Sequence, residues 1–286
     1  MQTESINENT VELLHVPTVP PEDVLGGDWF PLLYNNCAII ARKKSGKTNV
    51  IYNIIKRCCD KTTSIVFFVS TIHKCPVYAE ILKYCEKKKI NCMTFTDIYE
   101  NRTNVLEHLI EDLQRPDPKK KPPEERKDEY VMTRGFGLIP LRTKAPVVEK
   151  APRKKKMQAP KHFLIFDDIS QSLRDPAINR LLKIHRNIGC RVLISTQNLN
   201  DLSPAAIRQL DVALVFRGLS SNIDKLEHLY TNLDLSVNFP TFCTMYRQAT
   251  QEPFHFLYIS SRDNTYRINF NRQFIIDENE DEQKDL

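Results

Sequence analysis

The chain lacks several things, and each absence narrows its class. No apolar run reaches the roughly 18 residues that a bilayer-spanning helix needs. Met1 to Pro21 carries acidic and polar residues without the basic, apolar, small-residue order of a signal peptide, so export is not expected. The eight cysteines show no paired metal-ligand spacing. Several lie in apparent strands or on apolar helix faces, as buried free thiols do, which fits a reducing interior. Internal repeats are missing, which sets aside a solenoid. No constellation of carboxylates resembles a nuclease centre.

What is present is ordinary in bulk and uneven in place. The 286 residues are 41% hydrophobic and 27% charged, enough for one large α/β domain or two small ones. The net charge is +5. Arg115 to Lys161 holds 15 Lys or Arg against 6 Asp or Glu, with eight prolines. Asp277 to Leu286 holds six acids and one lysine. The basic stretch reads as an insertion that faces a polyanion, or as a solvated loop with no partner. Phe136 to Leu141 is an apolar island within it. The acidic tail reads as disordered.

Apolar, β-prone runs alternate with helical patterns, which predicts an α/β fold: a mostly parallel sheet with helices on both faces. Expected strands are Cys37–Ala41, Ser64–Ser70, Asn91–Phe95, His162–Asp167, Arg191–Thr196 and Val212–Arg217, all read as buried on both faces. Expected helices are Lys47–Cys59, Pro76–Lys88, Asn101–Leu113, Asp175–Asn187, Pro204–Gln209 and Asn222–Asn232. Phe254–Ser260 and Tyr266–Phe270 flank Ser261-Arg-Asp-Asn264, the pattern of a closing β-hairpin. The expected division is an N-terminal extension over 1–35, a domain over 36–274 with its insertion at about 115–161, and a tail over 275–286.

Residues 41–48 carry the strongest chemical signal. Ala41, Arg42, Lys43, Lys44, Ser45, Gly46, Lys47 and Thr48 lie between a predicted strand and a predicted helix, the setting of a nucleotide phosphate-binding loop. Backbone N–H groups and the helix N-terminus hold phosphates in such a loop. Lys47 is expected on the β- and γ-phosphates of ATP, and the Thr48 hydroxyl on Mg²⁺. The usual opening glycine is missing, with Ala41 in its place. A basic N-cap segment of an ordinary helix is the other reading.

Two strand ends supply partners for that loop. His162-Phe-Leu-Ile-Phe-Asp167-Asp168 ends an apolar run in two carboxylates, at the sheet edge where ligands of open α/β folds bind. Asp167 is expected to hold Mg²⁺, directly or through water. Asp168 is expected to polarise the attacking water as general base. Arg191-Val-Leu-Ile-Ser195-Thr196-Gln197 ends likewise in polar residues. Beside the Asp167 strand, Gln197 would face the γ-phosphate with an amide that both donates and accepts.

In order, Gly-Lys-Thr, Asp-Asp, His185-Arg186-Asn187 and Ser-Thr-Gln resemble the FtsK–HerA superfamily, and within it the genome-packaging ATPases of poxviruses and other large or mid-sized DNA viruses. Leu202–Arg208 and Val212–Arg217 follow the same pattern, and the likeness covers roughly Asn36 to Phe274. The resemblance implies a P-loop NTPase sheet of the RecA/ASCE type with ATP and Mg²⁺ as cofactors. It implies a homo-oligomeric ring, five- or six-membered, that drives double-stranded DNA into a preformed capsid. A capsid or portal-vertex protein would be a further partner and no membrane is involved. The implied location is the host cytoplasm, within a viral factory, or the nucleus, or the virion. Members complete the site with an arginine from the neighbouring subunit, worth about 10³–10⁵ in rate. Arg186 is the first candidate, with Arg208 and Arg217 as alternatives. A plasmid-mobilisation or replication helicase and a nucleotide-binding interaction module with a degenerate site are the competing readings.

Overall fold

A computed structural model describes residues 19–115, 130–132, 138–140, 157–218 and 223–276. Most of the basic insertion, the island residues Phe136, Gly137 and Leu141, and the acidic tail from Asp277 lie outside the described residues.

Nine strands build the central sheet: β1 Asn36–Ile40, β2 Ser64–Val69, β3 Asn91–Phe95, β4 His162–Asp167, β5 Cys190–Thr196, β6 Val212–Phe216, β7 Phe256–Ser260, β8 Thr265–Ile268 and β9 Arg272–Gln273. Their order across the sheet is β9-β8-β7-β6-β1-β5-β4-β2-β3. The six from β6 to β3 run parallel, and β7, β8 and β9 are antiparallel additions. The fold is therefore the expected mostly parallel α/β sheet, with the hairpin at its C-terminal edge strands. Leu138–Pro140 of the apolar island pairs with Tyr130–Met132 as a separate two-stranded ribbon.

Seven helices cover the two faces among the described residues: α1 Lys47–Cys58, α2 Pro76–Lys88, α3 Val105–Gln114, α4 Pro176–Ile184, α5 Pro204–Ile207, α6 Ile223–Leu233 and α7 Phe239–Ala249. Helix α1 buries Ile51, Ile54, Ile55 and Cys58, the i, i+3, i+4, i+7 stripe of an amphipathic helix. These pack with Cys37, Ile39 and Ala41 and with Ile81 and Cys85 of α2 on one face. Ala38 and Ile40 point to the other face, where helices α3 to α7 pack. Period-two alternation in β1 thus feeds two separate cores from one strand. On the second face Phe68 stacks between Phe166 and Phe95 at centroid distances of 5.0 and 5.3 Å, joining β2, β3 and β4.

Three expectations need correction. Strand β3 is the sheet's edge and is largely exposed, not buried on both faces. Helix α3 starts at Val105 instead of Asn101, because Asn101 and Arg102 turn through left-handed φ values of 49° and 65°. Asn104 then caps the helix by accepting from the Glu107 N–H at 3.0 Å. Helix α4 ends at Ile184, and His185 to Asn187 belong to the turn into β5. Helix α7 is an addition that the sequence reading did not contain.

The segment ahead of β1 packs onto the same body. Val24 and Phe30 are buried, and Trp29 stacks on Phe270 at 4.1 Å. Arg191, fully buried in β5, donates to the Leu32 and Leu33 carbonyls at 2.9 and 3.2 Å and lies over the Phe30 ring. Gln158 pairs with Val24 as an isolated parallel bridge, so the chain re-enters the body before β4 begins. All eight cysteines are free, six of them buried.

Candidate active site

The parallel strands bring their C-terminal ends to one edge, and register sets the heights there. Ile40 lies level with Thr196, and Asp167 with Ser195. The residues that follow, Ala41, Gln197 and Asp168, therefore leave the sheet side by side. Strand β5 stands between the loop strand β1 and the twin-acid strand β4.

The loop after β1 is shaped by two left-handed residues, Lys44 at φ 63° and Gly46 at φ 89°. Ala41 is not among the left-handed positions. It continues the strand, buried, with its N–H donating to the Thr196 carbonyl at 3.0 Å. A missing opening glycine therefore imposes no backbone strain at residue 41. Ser45 Oγ donates to the Arg42 carbonyl at 2.7 Å and closes the turn. Gly46 then caps α1, whose first residues are Lys47 and Thr48. The cap makes no side-chain hydrogen bond, so the first N–H groups of α1 face outward unclaimed by a capping side chain.

Lys47 is buried, and its Nζ lies 3.5 Å from Asp168 Oδ1. The same carboxylate oxygen receives Gln197 Nε2 at 3.4 Å. Asp168 holds a left-handed φ of 56°, a sparsely populated region for a residue with a Cβ, which asparagine and aspartate tolerate best. Its carbonyl accepts from Ser70 Oγ at 2.7 Å, which ties the turn to the end of β2. Loop lysine, second acid and glutamine thus meet around one carboxylate.

Asp167 behaves differently. It is 1% exposed, and Tyr78 of α2 donates its hydroxyl to Oδ2 at 2.8 Å. Oδ1 has no hydrogen-bonding partner among the described residues. Burial pushes the Asp167 carboxyl above its ordinary value, and the neighbouring Asp168 adds to this; Ser195, Lys47 and Tyr78 pull the other way. Burial, then Asp167, raises the Tyr78 phenol well above its own. A buried, half-satisfied carboxylate of this kind fits a divalent cation, since the charge it lacks is what a cation supplies. No cluster of three or more His, Cys, Asp or Glu could hold a metal unaided among the described residues. Mg²⁺ would suit the Asp167 carboxylate, since it takes one or two protein oxygens and completes its shell with phosphate and water.

Two open cavities flank this cluster. One, of about 360 Å³, is walled by Lys47, Thr48, Asp168 and Phe254. The other, of about 470 Å³, runs from Lys43 and Asp168 past Gln197 to Ser172. The two share Lys43 and Asp168 in their walls.

The candidate arginines lie apart. Arg186 sits in the turn before β5, at the opposite edge of the sheet, where its Nη2 donates to Asp211 Oδ1 at 2.6 Å. Asp211 also accepts from the Asn36 N–H at 2.9 Å. Arg208 lines the same surface cavity as Arg186. Arg217 is exposed just beyond the end of β6, on the loop's edge of the sheet. The structure therefore brings Lys47, Asp167, Asp168, Gln197 and Thr48 to one edge, and leaves Arg186 and Arg208 at the other.

No family model matches the sequence, and no curated protein matches it. Solved structures do. The genome packaging NTPase B204 from Sulfolobus turreted icosahedral virus 2 in complex with AMP is 15% identical at TM-score 0.50, over 82% of this chain and 97% of that one. The fold is shared with a viral packaging NTPase. B204 in complex with AMPPCP gives TM-score 0.49 at 16% identity, over 82% and 97% of the two chains. Thermomonospora curvata EccC (ATPases 2 and 3) gives 0.40 at 13%, over 85% of this chain and 37% of that one. The resemblance read from the motifs holds at the level of the fold.

Two residues of the site escaped the sequence. Tyr78 sits in an amphipathic stripe, where an aromatic reads as core; only the tertiary fold aims its hydroxyl at Asp167. Phe254 reads as the first residue of a strand, yet it stands before β7 with its ring over the loop.

Proposed function

We propose that this chain is a P-loop ATPase that drives double-stranded DNA, packaging a viral genome into a preformed capsid. The observation that carries the ATPase part is the 3.5 Å approach of Lys47 Nζ to Asp168 at the shared strand edge, with Asp167 buried beside it. The DNA part is supported by the fold shared with B204, a protein described as a genome packaging NTPase, and by the basic excess of Arg115 to Lys161.

In this reading the N–H groups of the loop from Lys43 to Thr48 bind the phosphates, and Lys47 moves from Asp168 to their terminal oxygens. Thr48 and Asp167 hold Mg²⁺, which supplies charge neutralisation and orientation at the phosphates. Asp168, released by Lys47, accepts the proton of the attacking water. Gln197 orients that water from its present position beside Asp168. An arginine of a neighbouring subunit completes the site in a five- or six-membered ring, with Arg186 the first candidate. The motor would act in the host cytoplasm, the nucleus or the virion, against a capsid or portal-vertex partner.

ATP turnover by the full chain, with and without duplex DNA, tests the proposal. Turnover should rise several-fold with duplex and vanish in Lys47→Ala. Stimulation by single-stranded DNA alone, with strand separation, would favour a helicase. Failure of the wild type to bind Mg–ATP at millimolar concentration would leave an interaction module.

A further inference from the structure

Phe254 is two-thirds exposed at 67%, more than any other aromatic among the described residues that carries a large apolar surface to solvent. Tyr99, exposed at 49%, at least spends its hydroxyl on Asp175 at 2.6 Å. Phe254 has no polar atom to spend, and its backbone is held at a left-handed φ of 65°. A bulky residue adopts that region at a cost. Exposure and strain together leave the residue without a packing rationale.

Its position supplies one. The Phe254 ring lies against the phosphate loop itself: a Cβ placed on Gly46 would meet the ring edge at 3.2 Å. The ring also walls the cavity that Lys47, Thr48 and Asp168 share. In the sheet, β7 lies two places from β1 on the side away from β5 and β4. Phe254, just ahead of β7, and Asp168, just after β4, therefore flank the loop from opposite sides. A triphosphate whose terminal group lies at Asp168 and Gln197 extends its nucleoside the other way.

We propose that Phe254 stacks on the base of the nucleotide held by the Gly46–Lys47 loop. The proposal rests on the nucleotide-binding reading and deepens it. A flat hydrocarbon ring offers a π-face to any base and no hydrogen bond to choose among them. The contact should serve adenine and guanine alike, so that selectivity between them is weak at this position.

Calorimetric titration of the full chain with Mg–ATP, Mg–GTP and inorganic tripolyphosphate tests it. Phe254→Ala should weaken ATP and GTP by about tenfold, the size of one base–aromatic stack, and leave tripolyphosphate unchanged. Phe254→Leu, which keeps apolar cover over Gly46, should lose as much as alanine. Phe254→Trp should keep the affinity and lose fluorescence on adding ATP but not tripolyphosphate, with Trp29 as the shared background. Equal losses for all three ligands would mean that Phe254 only shapes the loop and would overturn the stack. So would unchanged ATP and GTP affinity in Phe254→Ala. A wild type that binds neither ATP nor tripolyphosphate would instead sink the nucleotide-binding reading, and the stack with it.

Discussion

Asp167 and Asp168 are adjacent in sequence and opposite in circumstance. Asp168 reaches solvent and meets two side-chain donors, Lys47 and Gln197. Asp167 is buried with one oxygen unpaired among the described residues, and burial raises its pKa above the ordinary 3.8. Between 3.8 and that raised value the folded chain binds more protons than the unfolded one. Stability of the nucleotide-free protein should therefore fall as pH rises through this window, the reverse of a salt-bridged carboxylate. Asp167→Asn removes the charge, so its Tm at pH 7 should exceed the wild type's. The gain should fade toward pH 4, and a lower Tm at pH 7 would contradict it. Mg–ATP binding should weaken in the same variant. Asparagine is also the right probe at residue 168, because it tolerates the left-handed φ of 56°. Asp168→Asn should keep ATP binding and lose hydrolysis by about 10²–10⁴, the range of a removed general base.

Elements were legible where local chemistry and tertiary context agree. Helix α2 has the bounds its pattern predicts, from Pro76 to Lys88. Strand β4 likewise runs from His162 to Asp167, since a continuous apolar run between polar neighbours has few other readings. Helix α7 was missed because Phe-Pro-Thr-Phe-Cys-Thr is rich in aromatic and β-branched residues of poor helix propensity. A start signal was nevertheless there: Asn238 accepts from the Thr241 N–H at 2.9 Å, and Pro240 occupies the first turn. Asn238→Ala should cost about 1 kcal/mol in denaturant unfolding; a change within error would mean that packing of Phe242 and Tyr246 alone holds this helix. Strand β3 was read as buried because sequence pattern cannot say which strand becomes an edge. Of the candidate site, the loop and both acids were legible from strand–loop–helix order. Tyr78 and Phe254 were not, because each acts through a contact between elements distant in sequence.

At the scale of the whole molecule, the loop and twin acids share one edge while Arg186 and Arg208 share the other. In the proposed ring, one surface would present arginines to the nucleotide edge of the next copy. Arg186 is held by Asp211 within its own subunit, so the proposed role across subunits requires that ion pair to open. Arg186→Ala subunits mixed into wild-type protein should lower activity out of proportion to their fraction; a linear decline would remove Arg186 as a residue acting across subunits. The basic excess of the insertion predicts phosphate contacts that release counterions, and hence DNA dependence that weakens with salt. The most direct test of the whole account is ATP hydrolysis by wild type and Asp168→Asn, side by side, with and without duplex DNA over a salt series. The account predicts duplex-stimulated turnover that declines with salt in the wild type, and bound but unhydrolysed ATP in the variant. Full turnover in Asp168→Asn would contradict it.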